Sequence, residues 1–174
     1  MDHPCNIQDR QYQEAADAYG PAFDRLARAY ENDPDRRRDL LQDIHVALWR
    51  SFASFDGRCS LRTWTYRVAH NAAATYVIRQ RRVHSRLVSI EDFDSLPHRD
   101  DEAAAGREHA LEKLLALIQQ LKPLDRQVIL SYLEGLDAAS IGEVTGISAG
   151  NVATKVHRIK NILARQFQLG ERHV

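Results

Sequence analysis

Residues 138–165, AASIGEVTGISAGNVATKVHRIKNILAR, divide into a short helical stretch, a turn at Thr145-Gly146-Ile147-Ser148 and a longer helical stretch. Two helices joined by three or four residues that include a glycine form a helix-turn-helix. Ile141, Val144 and Ile147 supply packing between them. On the longer helix Val152, Val156, Ile159 and Leu163 recur at helical spacing and form the inward stripe. Ser148 is an apt N-cap, because its hydroxyl can accept from an amide of the first turn. The outward face then carries Asn151, Thr154, Lys155, Arg158 and Arg165, and no acidic residue occurs from Thr145 to Gly170. Such a face suits a major groove, with its early residues near base edges and its later cations on phosphates. Asn151 and Lys155 are the candidates for base reading, and Arg158 and Lys160 for the backbone. The alternative is a small helical bundle with a solvated face.

Upstream, the spacing predicts a helix over 107–121 with Leu111, Leu114, Leu115, Ile118 and Leu121 buried. A second helix is predicted over about 124–134, entered at Pro123 and stopped at Gly135. Residues 87–110 are acidic and poor in apolar residues, with two basic against seven acidic side chains, and read as a flexible linker. Before it, GRCSLRTWTYRVAHNAAATYVIRQRRVHSR (57–86) holds seven arginines, three aromatics and no acid. A polyanion would supply the missing charge, and flat rings offer stacking surfaces for unpaired bases. The other reading is an amphipathic core helix, capped by Ser60 and running to about Arg82, with a solvated basic face.

Residues 35–52 predict an amphipathic helix with Leu41, Ile44, Leu48 and Phe52 inward. Trp49 and the polar flank Asp39, Gln42 and Asp43 are either solvated or a partner-binding face. A short helix and a second from about Pro21 precede it, and residues 1–10 are expected to fray. No alternating strand pattern or fixed-period repeat occurs. The chain therefore reads as all-α: two small helical domains, 11–86 and 111–170, joined by the acidic linker 87–110, with the helix-turn-helix in the second.

Composition narrows the function class. The chain has 24 basic and 24 acidic residues, but the two domains are mildly basic and the linker is acidic. Two cysteines, Cys5 and Cys59, offer neither a disulfide scaffold nor a paired metal site. The longest wholly apolar run, Leu114–Ile118, is far short of a membrane span, and no secretion signal opens the chain, so a soluble cytoplasmic protein is expected. There is no phosphate loop, HExxH or nucleophile elbow, and the histidines are scattered. Binding rather than catalysis is expected, with no metal or cofactor.

Both halves resemble one family, the extracytoplasmic-function (ECF) sigma factors of bacterial RNA polymerase. DLLQDIHVALWRSFASFDG is similar to its polymerase-binding helix and turn. SLRTWTYRVAHNAAATYVIRQRR is similar to its minus-ten and promoter-melting segment. LKPLDRQVILSYLEGLDAASIGEVTGISAGNVATKVHRIKNILAR is similar to its minus-35 domain. The resemblance implies that Asp39, Leu40, Gln42, Asp43, Leu48 and Trp49 bind the polymerase clamp helices. It implies that the loop of Phe55, Asp56, Arg58 and Ser60 captures an extruded base. Arg62, Arg67, His70, Asn71, Arg79, Arg81 and Arg82 would line the strand and the duplex beside it. Ser148, Asn151, Thr154, Lys155, Arg158 and Lys160 would contact the upstream element, and the apolar surface of 124–133 the polymerase flap. An anti-sigma factor or other regulator is the further partner class.

Three rival readings have less support in the residues. A regulator that sequesters a partner is weakened by the lack of a dedicated sensor or membrane segment in the sequence. A free-standing helix-turn-helix regulator leaves the 35–52 helix and the aromatic basic helix without a role. A nucleic-acid enzyme lacks a catalytic motif. The chain also departs from the family. Gly150–Lys155 lacks the usual cationic pattern early in the last helix, which leaves the preferred upstream sequence open. Arg36-Arg37-Arg38 stands where the family often has acids, and is expected to weaken or re-aim polymerase docking. Replacing these three arginines with acidic residues should therefore change affinity for core polymerase; an unchanged dissociation constant rejects the idea.

Overall fold

A computed structural model describes the chain over residues 4–85 and 107–171, and the described residues are helical apart from their connections. The segment expected as a linker lies outside them up to residue 106, as do residues 1–3. The side chains of Arg81 and Arg82 are likewise not described.

The first domain is a three-helix bundle of α1 (Pro4–Tyr30), α2 (Pro34–Ser51) and α3 (Leu61–Ser85), with a single 3-10 turn at Phe52–Ser54 after α2. Helix α2 starts sharply because Asp33 caps it, accepting from the amides of Asp35 and Arg36 at 3.0 and 2.9 Å, and Pro34 fits the first turn. Its buried stripe is Leu40, Ile44 and Leu48, continued by Phe52, rather than the register through Leu41, which is only half-buried. Helix α1 differs more from expectation. It begins at Pro4 and continues through Pro21 without a break. Proline removes one backbone donor, but Pro21 is exposed and the turns on either side are held by packing. The early turns are tied to α2: Tyr12 Oη lies 3.0 Å from His45 Nδ1, and Asp9 accepts the Trp49 indole N–H at 2.8 Å. Burial pushes the His45 imidazole below its ordinary value.

The second domain comprises α4 (Arg107–Gln119), α5 (Pro123–Leu133), α6 (Ala138–Thr145) and α7 (Ala149–Glu171). Val128 and Ile129 of α5, Ile141 and Val144 of α6, and Val152, Val156, Ile159 and Leu163 of α7 close one core, with Ile118 of α4 beneath. Ile118 is buried as expected; Leu114, Leu115 and Leu121 are half-buried and Leu111 is half exposed. Asp137 caps α6 through the Ser140 amide at 2.7 Å. Gly146 ends it at φ 78°, returning its amide to the Gly142 carbonyl at 2.8 Å. Gly142 itself has no room for a side chain, because a Cβ there would lie 2.7 Å from the Ile147 carbonyl oxygen.

The two domains pack directly, α1 against α4 and α3 against α5 and α6. This contact was not foreseen from the sequence. Helix α3 is most deeply buried along Tyr66, Ala69, Ala73 and Tyr76, with Trp64, Val68 and Ala72 only half-buried; Tyr66 reaches Glu134 of the second domain and Tyr76 the Arg36 carbonyl of α2.

Gly146→Ala should cost about 1–2 kcal/mol, the penalty for an L-residue in left-handed backbone. Urea unfolding measures it; an unmoved midpoint would mean that the turn relaxes to negative φ.

Candidate nucleic-acid and polymerase interface

On α2, Asp39, Gln42, Val46 and Trp49 are exposed and recur at 3–4–3 spacing, so they form one outward stripe. Asp43 lies beside it, half-buried, and accepts from Arg79 at 2.7 Å. Leu40 and Leu48, expected on the same face, are fully buried. They belong to the inward stripe, so they shape this surface from beneath and do not meet a partner themselves. The indole of Trp49 is 40% exposed, which makes it a large apolar surface with its N–H already satisfied by Asp9.

The loop between α2 and α3 is built on stacked rings. Phe52 meets Phe55 edge-on at 6.2 Å, and Phe55 tilts against Trp64 at 5.2 Å. The Trp64 N–H donates to Ser51 Oγ at 2.9 Å, and the Arg67 guanidinium sits over its ring at 4.7 Å. Asp56 accepts the Arg58 amide at 3.2 Å and pairs with its side chain at 2.9 Å, while Gly57 takes φ 75°. Ser60 caps α3 as predicted, accepting from the Thr63 amide at 3.0 Å. The loop thus presents an exposed, charged rim over a half-buried aromatic floor. Cys59 within it is a free thiol.

Along α3 the expected strand-contacting residues separate into two groups. Asn71 and Arg79 are exposed, and Arg67 is partly so. Arg62 and His70 face the second domain instead. Arg62 donates to the Glu134 carbonyl at 2.5 Å. His70 is 1% exposed, with Nδ1 3.3 Å from Tyr30 Oη and Nε2 3.2 Å from Ser131 Oγ. Burial pushes its pKa down to about 3 and that of Tyr30 up to about 12, so both are neutral in this arrangement.

On α7, Ser148, Asn151, Thr154 and Arg158 are exposed and Lys155 is half-buried. Ser148 Oγ accepts the Asn151 amide at 3.3 Å, and Thr154 donates back to the Gly150 carbonyl at 3.0 Å. Lys160 does not share this face. At 100° per residue it lies opposite Asn151, with its ammonium 5.5 Å from the centre of the Tyr132 ring. Asp125 at the start of α5 was not singled out from the sequence. It is 8% exposed, and its two oxygens lie 2.6 Å from Lys155 Nζ and 3.1 Å from Arg158 Nη2. A single acid thirty residues away leaves no periodic signal, so only the fold reveals the pairing. No helix among the described residues is long and apolar enough to cross a membrane, and they include no metal-holding group of His, Cys, Asp and Glu.

Known proteins match this arrangement. Residues 15–83 match the Sigma-70 region 2 family and residues 111–163 the Sigma-70, region 4 family. RNA polymerase sigma factor CarQ of Myxococcus xanthus is 33% identical over 69% of this chain and 68% of its own length. RNA polymerase sigma factor YlaC of Bacillus subtilis is 30% identical over 71% and 72%. ECF RNA polymerase sigma factor SigX of the same organism is 27% identical over 79% and 73%. Among solved structures, CnrH in complex with the cytosolic domain of CnrY aligns with a TM-score of 0.67 at 21% identity, over 95% of this chain and 93% of that one. The sigma factor RpoE bound to the anti-sigma factor NepR, from Bartonella quintana, aligns at 0.67 and 19% identity, over 90% and 96%.

Asp125→Asn removes the charge that Lys155 and Arg158 face. Non-specific duplex binding should then tighten, and its log–log salt slope steepen by up to about 1.8, the value for two added phosphate contacts. An unchanged slope would mean that Asp125 withholds neither cation from DNA.

Proposed function

Because the chain belongs to the ECF sigma factors, which bind core RNA polymerase and direct promoter-specific transcription initiation, we propose the following division of its surface. The outward stripe of α2, Asp39, Gln42 and Trp49 with Asp43 beside it, docks on the polymerase clamp helices. The exposed rim at Asp56–Ser60 over the Phe55–Trp64 floor receives one flipped base of the non-template strand. Arg58, Arg67, Asn71 and Arg79, with Arg81 and Arg82 further along α3, follow that strand and the adjoining duplex. The α7 face of Asn151, Thr154, Lys155 and Arg158 enters the major groove of the upstream element.

The observation that carries this reading is the order of surfaces along one chain. A helix with an outward stripe ending at Trp49, an aromatic-floored loop, a basic helix and a helix-turn-helix occur in that sequence, the first three within the matched region 2 and the last within region 4. The work is binding, not bond chemistry. Docking and two DNA contacts together offset the few kcal/mol that each unstacked base costs. The site of action is the cytoplasm, where the polymerase is. The complexes of CnrH and RpoE with CnrY and NepR support an anti-sigma protein as a further partner of this chain.

Run-off transcription with purified core polymerase on a promoter library is the direct test. Promoter-specific transcripts above core alone are expected, and their absence would sink the reading. In the same assay Asn151→Ala should relax discrimination at one upstream base pair, worth about 1–3 kcal/mol. An equal loss on every promoter would argue against base reading by that side chain.

A further inference from the structure

Trp49 is the largest apolar side chain on the outward stripe of α2, and its N–H edge is held by a residue of another helix. Asp9, in the second turn of α1, accepts that N–H with Oδ1 at 2.8 Å, and Gln8 donates to the Trp49 carbonyl at 2.7 Å. Both residues precede the matched Sigma-70 region 2 segment, which begins at residue 15. Among the described residues Oδ2 of Asp9 has no partner. The side chain is exposed, and neither Arg10 beside it nor Arg50 beside Trp49 forms an ion pair with it.

A carboxylate at the N–H edge of an exposed indole selects its ligand. The ring face attracts a cation that lies within about 6 Å of its centre, and Trp does so best among the aromatic residues. The carboxylate adds a charged acceptor at the rim. A guanidinium answers both, because it is flat enough to stack and its fork of donors reaches sideways to an oxygen. An ammonium is a strongly hydrated point charge and fits the pair less completely. The chain already uses this combination on itself. The Arg79 guanidinium lies 5.5 Å from the centre of the Tyr76 ring while it pairs with Asp43 at 2.7 Å.

The charge along the stripe favours the same occupant. Arg36-Arg37-Arg38 make the first turn of α2 cationic, and Asp43 is already paired with Arg79. Asp39 and Asp9 are the acids left without an ion pair among the described residues, one at each end of the stripe. From Asp39 to Trp49 the helix rises about 15 Å, at 1.5 Å per residue.

We propose that Asp9 and Trp49 together receive one arginine of core RNA polymerase, so that a residue outside the matched segment supplies the acidic contact at the Trp49 end of the docking face. This rests on the reading of the α2 stripe as that face. The arginine stacks on the open side of the indole and donates to Asp9 Oδ2. Oδ1 keeps the indole N–H, so neither group has to move to receive it.

The test is the dissociation constant of the full chain for purified core polymerase, at about 0.1 M and about 0.5 M salt, between which the Debye length shortens by about half. Asp9→Asn keeps an oxygen for the indole N–H and removes the charge. It should weaken binding about three- to fivefold at the lower salt, as loss of one exposed ion pair does, and under about twofold at the higher. Asp9→Glu, which keeps the charge, should stay within about twofold of wild type. Trp49→Leu should cost about tenfold, and the double variant should bind about as weakly as Trp49→Leu alone, because the arginine is already lost. Wild-type affinity in Asp9→Asn overturns the proposal. So does a deficit that ignores salt, which would make Asp9 only a support for the ring, and so do losses that multiply in the double variant. Should circular dichroism show that Asp9→Asn loses helix, Trp49→Leu decides. Its cost should shrink about twofold or more at the higher salt, whereas a purely apolar contact would lose the same factor at both. If Trp49→Leu binds core as wild type does, the docking reading of α2 falls with the proposal; if Asp9→Asn alone has no effect, that reading stands.

Discussion

Glu134 is the residue on which the arrangement of this chain turns. It lies just past α5, where the backbone leaves the helix, and its side chain is 16% exposed. A carboxylate so placed needs compensation, because burying an unpaired charge is costly. Arg25 and Tyr66 supply it from two helices of the other domain, while Arg62 takes the main-chain carbonyl of the same residue. The phenol of Tyr66 is pushed up to about 12, first by its burial and then by the acid beside it, so it stays a donor. The Arg25 guanidinium is held above its ordinary value by the same hydrogen-bonded pair. One side chain thereby fixes how α1 and α3 sit against the helix-turn-helix domain.

The same economy appears at Asp125, which holds Lys155 and Arg158 on the side of α7 that we propose enters the major groove. The two acids have different consequences. Glu134 joins the two domains. Asp125 acts within one domain, between α5 and α7. Helix α7 therefore presents two cations whose positions are set in advance but whose charge is partly offset.

Much of this was legible in the sequence, and the reasons differ by element. The helix-turn-helix announces itself through Gly146, Ser148 and the stripe of Val152, Val156, Ile159 and Leu163, all local signals with a fixed period. The cap at Ser60 and the outward stripe of α2 are local as well. Ile44, Leu48 and Phe52 of the α2 stripe are buried as expected, but its first member is Leu40 and not Leu41, because the two are adjacent and either fits a 3.6 period; only packing against α1 and α3 chooses Leu40. Helix α1 was read as broken at Pro21 because the interactions that carry it through, at Tyr12, His45 and Trp49, join residues more than thirty positions apart. His70 was assigned to a DNA strand by the resemblance of its helix to the family's promoter-melting segment. Its burial depends on a second domain whose position no spacing in α3 encodes. Charge pairing across the interface is non-local for the same reason.

Trp49 has an entropic consequence. A ring that must be immobilised when a partner arrives loses rotamer freedom, a cost of order 0.5–1.5 kcal/mol for a side chain ordered at an interface. Here the indole N–H is already bonded to Asp9, and the Trp49 carbonyl accepts from Gln8. The first turns of α1, which precede the matched Sigma-70 region 2 segment, have thus ordered the ring while leaving its outer surface open. The chain's amino-terminal turns act as a pre-organising splint: they touch the back of the ring that we propose as a docking anchor, so that its front can bind without further ordering.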